Sequence, residues 1–316
     1  MKKFVKIFLI SLLTLFIVSC SNDSNSQSAE DKNFKPKVVK HDFGQTELKK
    51  RPKKIVILNN FYAEVLYPLG MKPIGATTGQ AGSNEFASFV KDKFIADKVI
   101  SVGWQKKTDL EKIAELEPDL ILMTVHQKDL YEKLSQIAPT IGYKMDTEEN
   151  WDFREPSIKV AEIFDKGEEM KKIISDYNTK EQEFAKKVKA KFPTEKLMYI
   201  RVTEKDIRYN AYRRLGFLYE SFGFNRVEEL PENKRNEIYS INLEKILQLN
   251  PDLMIIQADK PELFERKLKE TPIWNQLKAV KNNKIIYAEY SLWQIGYGLL
   301  SKEKIMEKID NEWLKK

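Results

Sequence analysis

The stretch "YIRVTEKDIRYNAYRR" places Arg201, Arg208, Arg213 and Arg214 within fourteen residues, interleaved with Tyr199, Tyr209 and Tyr212. Lysine is the ordinary cation of this chain, so the cluster is a change of chemistry. A guanidinium offers a planar fork that matches carboxylates and stacks on aromatic rings. The pattern therefore suits recognition of a carboxylate-bearing ligand. The competing reading is that some of these arginines pair with nearby acids such as Glu204 or Asp206. Two or three of the four are expected to face one cleft, with Arg214 the most peripheral. A second aromatic group, "YSLWQIGYG", carries Tyr290, Trp293 and Tyr297 after the last strand, where loops often carry function; the alternative for Trp293 is packing beneath the final helix. In the first half, Asn59, Asn60, Phe61 and Tyr62 follow a strand, Trp104 precedes a helix, and His126 and Gln127 follow another strand. All should reach the carboxyl ends of strands, where open α/β sheets bind ligands.

Other chemistries have little support. Transition metals want His, Cys and carboxylates together. This chain has two histidines, His41 and His126, and one cysteine, Cys20, so no metal site is expected. There is no G-x-S-x-G, no glycine-rich phosphate loop and no H-E-x-x-H. An enzyme is not expected, although lone acids exclude nothing. The formal charge of +7 is spread as lysine along the chain. Nucleic-acid binding would gather it into a stripe.

The elements that must position these residues follow from periodicity. "MKKFVKIFLISLLTLFIVSC" reads as a secretory signal ending at a cysteine, and "SNDSNSQSAEDKN" as a flexible tether. From "KIVIL" onward, short apolar runs alternate with helical periods: "AEVLYPLG" as a helix ending at Gly70, "KPIGATT" as a strand, "EFASFVKDKF" as a helix. Near Asn150 the alternation stops. Helical periods cover 157–164 and 167–191, and alternation then resumes through "KLMYIRVT", "DLMIIQA", a helix from Pro261 to about Leu277, "KIIYAEY" and a terminal helix. The expected class is α/β, with two β/α lobes of mostly parallel sheet joined by one long helix. The expected divisions are a signal peptide over 1–19, a lipidated tether over 20–39, a first lobe over 40–155, a connecting helix over 156–192 and a second lobe over 193–316. Two lobes also repeat a phrase: "DLEKIAELEPDLILM" begins at Asp109 and "NLEKILQLNPDLMII" at Asn242, with Glu111 and Glu244 in the same place. A cleft between two lobes suits capture of a small molecule.

From about Lys40 to the end, the chain resembles the iron-siderophore substrate-binding lipoproteins of ABC importers. The resemblance rests on Ile17-Val18-Ser19-Cys20, "RPKKIVIL", "YPLGMKPIGATT", the two repeated phrases, "LSQIAPT" and "WNQLKAVKNNKIIYAE". It implies the class with two lobes and a helical backbone, lipid on Cys20 at the outer membrane face, and a monomer. It implies Glu111 and Glu244 as permease-docking residues, one per lobe. It also implies that iron arrives held by the siderophore, with no other cofactor. The family's citrate-based members line the cleft with arginines, and "IRVTEKDIRYN" resembles that pattern, which implies that Arg201 and Arg208 are ligand-facing; Arg213 matches a position where hydroxamate binders also carry an arginine. Tyr62, Trp104, His126, Tyr209, Tyr212, Trp293 and Tyr297, placed near the cleft by their position along the chain, complete the expected wall. The ligand is then an anionic ferric chelate, carboxylate or mixed hydroxamate–citrate. "SLWQIGYG" departs from the arginine-rich loop of some citrate-siderophore binders. Binding of haem or another metal chelate, a lipid-anchored enzyme, and an adhesin or scaffold are the alternatives.

Overall fold

The computed structural model describes residues 34–145, 152–209, 215–230 and 239–315. Cys20, Tyr212, Arg213 and Arg214 lie outside the described residues. The architecture below belongs to the unit Pro36–Lys316.

Five parallel strands make the first sheet. These are β3 (Ile55–Ile57), β4 (Gly75–Ala76), β5 (Ile100–Ser101), β8 (Leu120–Thr124) and β9 (Thr140–Tyr143), in the order β5-β4-β3-β8-β9. β3, β8 and β9 are buried along their whole length, as expected of strands covered on both faces. A hairpin of β1 (Lys37–His41) and β2 (Gly44–Leu48) lies against the β9 edge, where the Asp42 amide donates to the Gly142 carbonyl at 3.1 Å. It covers an edge that would otherwise be open. β1 begins at Lys37, ahead of the lobe boundary expected at residue 40. A second hairpin, β6 (Gly103–Trp104) with β7 (Lys107–Thr108), leads into the first repeat.

The second sheet has β10 (Lys196–Val202), β11 (Ile207–Tyr209), β13 (Tyr239–Ser240), β14 (Leu253–Ala258) and β15 (Ile285–Tyr287), in the order β13-β11-β10-β14-β15, with β12 (Asn225–Arg226) also beside β10. β10, β12, β14 and β15 pair in parallel, and β11 pairs antiparallel with both β10 and β13, so β11 runs against the rest.

The repeated phrases are the same unit in both sheets. α3 (Leu110–Glu115) is capped by Asp109, whose side chain accepts from the Lys112 amide at 3.1 Å. α8 (Leu243–Leu249) is capped by Asn242, which accepts from the Lys245 amide at 2.8 Å. Each helix ends before a Pro-Asp pair, with Glu117 and Asn250 in the left-handed region at φ 45° and 44°. The aspartate then ties the unit to the neighbouring strand. Asp119 accepts from the Lys53 and Lys54 amides at 2.9 and 2.8 Å, and Asp252 from the Lys196 amide at 2.9 Å. Capping, turn and sheet register are thus written in one short phrase.

Between the lobes run α5 (Arg154–Glu162) and α6 (Gly167–Lys191). The connection expected over 156–192 is therefore two helices. The chain turns at Asp165 with φ 59°, because Lys166 and Gly167 start a new helix that folds against the first. Arg154 locks the pair, donating to Asn178 at 2.8 Å and Glu181 at 2.6 Å and lying over the Tyr177 ring. At about 1.5 Å per residue, α6 is a rod of about 37 Å.

The last two helices close the lobe junction. α11 (Tyr290–Gln294) packs on α2 (Ser88–Ala96), where the Ser88 amide and hydroxyl both meet the Ser291 hydroxyl. α12 (Leu299–Ile309) packs on α1 (Phe61–Leu66), α2 and α6. At this contact Glu64 of α1, 2% exposed, reaches into the N-terminus of α12. Its carboxylate accepts from the amides of Tyr297, Gly298 and Ser301 at 2.9, 2.8 and 2.8 Å and from the Ser301 hydroxyl at 2.7 Å. Burial pushes this carboxyl above its usual range, and the four donors pull against that. Gly298 is required by proximity: a Cβ there would stand 2.9 Å from the Glu64 Cβ.

Other elements depart from the sequence reading. α1 stops at Leu66 rather than at Gly70: Tyr67 keeps helical backbone angles and donates to the Ala63 carbonyl, but Pro68 has no amide to continue the ladder. The helix expected from Pro261 to Leu277 is α9 (Pro261–Phe264), a wider turn over Glu265–Lys269 and, past Pro272, a tight turn at Trp274–Gln276. Residues 290–294 form a helix where a loop was expected.

Glu64→Ala leaves buried amides of α12 without an acceptor. It should lower stability by about 3 kcal/mol, with Glu64→Gln in between. Urea denaturation measures this, and an unchanged midpoint for Glu64→Ala would remove Glu64 as the clamp.

Candidate functional site

The antiparallel register of β10 and β11 sets Arg201 directly opposite Arg208. Strand alternation puts both on the face that also carries Tyr199, while Met198, Ile200 and Val202 enter the core on the other face. Like charges directly opposed are destabilising, and each arginine has its own acid. Arg201 donates through Nε and Nη2 to the two carboxylate oxygens of Asp259 at 2.7 and 3.1 Å. Arg208 donates through Nε to Asp206 at 2.7 Å. Both guanidinium side chains remain 25% exposed. Nη1 of Arg201 and both Nη atoms of Arg208 donate no hydrogen bond to a described residue.

The acids are held in turn. Asp259 lies just past β14; its amide donates to the Val202 carbonyl at 3.0 Å and its Oδ1 also accepts from Gln257 at 2.9 Å. Asp206 sits in the turn between β10 and β11 and accepts from the Thr203 and Ser240 hydroxyls at 2.6 and 2.8 Å. Partial burial raises the Asp206 carboxyl, but the Thr203 and Ser240 hydroxyls and Arg208 outweigh it and hold it down at about 2. Arg201 lies over the Tyr290 ring at 5.2 Å from its centroid.

α11 links this face to the seam between the lobes. Its first residue is Tyr290, its Gln294 donates to the Tyr199 hydroxyl at 3.2 Å, and Ile295 and Tyr297 beyond it meet the first lobe. There, with Asn59, Asn60, Trp104 and Gln105, they line a slot of about 10 Å³, room for about one water. The first-lobe wall is a network of amides. Asn59 donates to Gln105 at 3.1 Å, and Gln127 donates to the carbonyls of Leu58 and Gln105. The Asn60 side-chain carbonyl is buried there without a hydrogen-bond partner among the described residues.

The structure therefore brings Arg201 and Arg208 together on one face and Trp104 and Tyr297 together at the seam. Four expectations need correction. Tyr62 is buried, and its hydroxyl donates to the Met123 carbonyl, because α1 turns it under the sheet. Tyr209 alternates with Arg208 and so enters the core of the second lobe. Trp293 is 1% exposed, pressed against Tyr199 by the helix that replaces the expected loop. His126 is exposed at the end of β8, and it is the next residue, Gln127, that turns inward. Tyr212 and Arg213 lie outside the described residues. Glu111 and Glu244 are exposed in the first turns of α3 and α8, where the helix dipole favours a carboxylate.

Asp259 was missed, whereas Asn60 lies at the strand end where it was expected. The repeat held the signal for Asp259: continuing the alignment of the two phrases past their strands sets Asp259 opposite His126. Among the described residues no group of three or more His, Cys, Asp or Glu could hold a metal, and no helix is long and apolar enough to cross a membrane.

A model of the family described as "Periplasmic binding protein" matches residues 55–291. The putative ABC transporter substrate-binding lipoprotein YhfQ of Bacillus subtilis (strain 168) is 26% identical, over 99% of this chain and 98% of its own. The petrobactin-binding protein YclQ of the same organism is 28% identical, over 98% of both. Among solved structures, Staphylococcus aureus SirA complexed with staphyloferrin B superimposes with a TM-score of 0.68 at 25% identity, covering 87% of this chain and 98% of that one.

Asp206 is held below its ordinary value, so its contribution to stability is complete above about pH 4 and is lost as pH falls through about 2. Asp206→Asn should therefore be less stable than the parent at neutral pH, with the gap closing on acidification. Thermal unfolding across that range measures it; a gap independent of pH would discount the ion pair.

Proposed function

The chain belongs to the periplasmic-binding-protein family, and from that premise we propose that it is a solute-binding lipoprotein that captures a ferric siderophore and hands it to an ABC permease. It is a carrier and not an enzyme. The observation that bears most weight is the in-register pair Arg201 and Arg208. Two guanidiniums on one sheet face, a quarter exposed and with Nη1 of Arg201 and both Nη atoms of Arg208 donating to no described residue, suit the peripheral oxygens of an iron chelate. Relatives matched along their whole length include proteins named for binding petrobactin, iron(3+)-citrate and iron(3+)-hydroxamate.

In this reading the iron remains inside the siderophore, and the protein recognises the outside of the chelate and needs no other cofactor. Trp104 and Tyr297 offer ring surface at the seam, and the amides of Asn59, Asn60 and Gln105 offer neutral hydrogen-bonding partners. The chelate belongs to the carboxylate or mixed hydroxamate–citrate class, since arginine forks pair with carboxylates. Glu111 and Glu244, exposed at equivalent helix starts in the two lobes, are the two contacts with the permease. Lipid on Cys20 holds the protein, a monomer, at the outer face of the membrane.

Titration of tryptophan fluorescence with a panel of ferric siderophores tests the binding. At least one should quench, and Arg208→Ala should weaken it by about tenfold to a hundredfold. A panel without effect overturns the reading. Glu111→Ala combined with Glu244→Ala should leave binding intact and abolish uptake of labelled iron by cells; normal uptake would remove both glutamates from docking.

A further inference from the structure

We infer that Asp206 and Asp259 set the charge of the ligand: they make the arginine face selective for a ferric chelate of low net charge, with hydroxamate and carboxylate arms together, over one built from carboxylates alone. This rests on the siderophore reading above.

Arg201 and Arg208 are the cationic groups that this face brings opposite one another, and each is matched by a carboxylate at 2.7 Å. The four groups together carry no net charge. Neither acid can leave easily. Asp259 is tied by its own amide to Val202 and by its side chain to Gln257, and Asp206 by Thr203 and Ser240. Asp206 also stays ionised well below physiological pH, so the cancellation persists.

The geometry divides each guanidinium into two ends. Asp259 takes Nε and Nη2 of Arg201 and Asp206 takes Nε of Arg208, which fixes the plane of each fork. Nη1 of Arg201 and the two Nη atoms of Arg208, which donate to no described residue, are left for a ligand. A chelate oxygen there gains a directional, charge-assisted bond. It also lies close to a fixed carboxylate, and that repulsion grows with every further negative charge on the chelate. On the first-lobe side of the seam, Asn59, Asn60 and Gln105 are neutral, and Lys106 is turned onto the Trp104 ring, 5.9 Å from its centroid. The site therefore favours acceptors without favouring charge.

Iron chemistry converts this into a ligand class. Three hydroxamates on a ferric ion give a neutral complex. Replacing one with an α-hydroxycarboxylate leaves one negative charge and supplies a carboxylate for the forks. Citrate arms alone leave several negative charges. The intermediate case satisfies both the forks and the aspartates.

The test uses the full chain and three probes: a ferric trihydroxamate, a ferric chelate of two hydroxamates and one citrate arm, and ferric citrate, titrated by fluorescence quenching. The parent should bind the mixed chelate about tenfold or more tighter than ferric citrate. In Asp206→Asn and Asp259→Asn, each retaining an acceptor oxygen for its arginine, that ratio should fall by about tenfold as one charge is removed. The ratio within one variant cancels any general loss of fork positioning or of folded protein. A ratio unchanged within about twofold in both variants, or a parent that prefers ferric citrate, overturns the inference while leaving siderophore binding intact. Quenching by none of the probes or other siderophores overturns the siderophore reading itself.

Discussion

A single carboxylate decides how the two lobes meet. Glu64 leaves the first helix of the first lobe and ends among the first amides of the last helix of the chain, where it satisfies three backbone donors and a hydroxyl. Those amides have no intrahelical partner, and buried as they are they would be costly to leave unpaired. The residues just before that helix, Ile295 and Tyr297, form the second-lobe side of the seam. Fixing the helix start therefore fixes the width of the slot. The Ser88–Ser291 contact and the packing of α12 on α6 add to the same constraint, and together they oppose a wide hinge. A cleft that cannot open widely must present its groups already arranged.

That demand explains why the arginine face is built as it is. Unpaired guanidiniums side by side would repel and wander, and long side chains lose much rotamer freedom on binding. Pairing each through Nε to a fixed aspartate orders both before any ligand arrives, and preorganisation reduces the cost of association. The aspartates are supplied by backbone features that the fold needs anyway. Asp206 is part of the turn that returns β11 onto β10, and Asp259 continues β14, the strand beside β10. The paired-ion arrangement is thus a consequence of strand order as much as of the local sequence.

The lobes, the repeat and the long helix were legible because each rests on local periodicity. "DLEKIAELEPDLILM" carries its own cap, turn and strand, and both copies fold as written. Gly167–Lys191 matches its pattern because nothing within it breaks a helix. The misreadings share one cause, which is that orientation is set by partners distant in sequence. Tyr62 and Trp293 are aromatic residues beside a presumed loop, and their sequence neighbours do not reveal that α1 tucks one under the sheet and that α11 presses the other onto Tyr199. Tyr209 and Arg208 are adjacent, so only the register of β11 decides which of them enters the core. Glu64 was passed over because its partners lie more than two hundred residues away.

The same dependence on register makes the Arg201–Arg208 pair informative. Had β11 slipped by one residue along β10, every side chain on it would have changed faces. Tyr209 would then stand beside Arg201, and Arg208 would be forced into the apolar core among Met198, Ile200 and Val202. The burial of Tyr209 and Ile207 against that core thus holds the arginines outward. Recognition on one face of the sheet is enforced by hydrophobic packing on the other, and the turn closed by Thr203 and Asp206 fixes where the alternation starts.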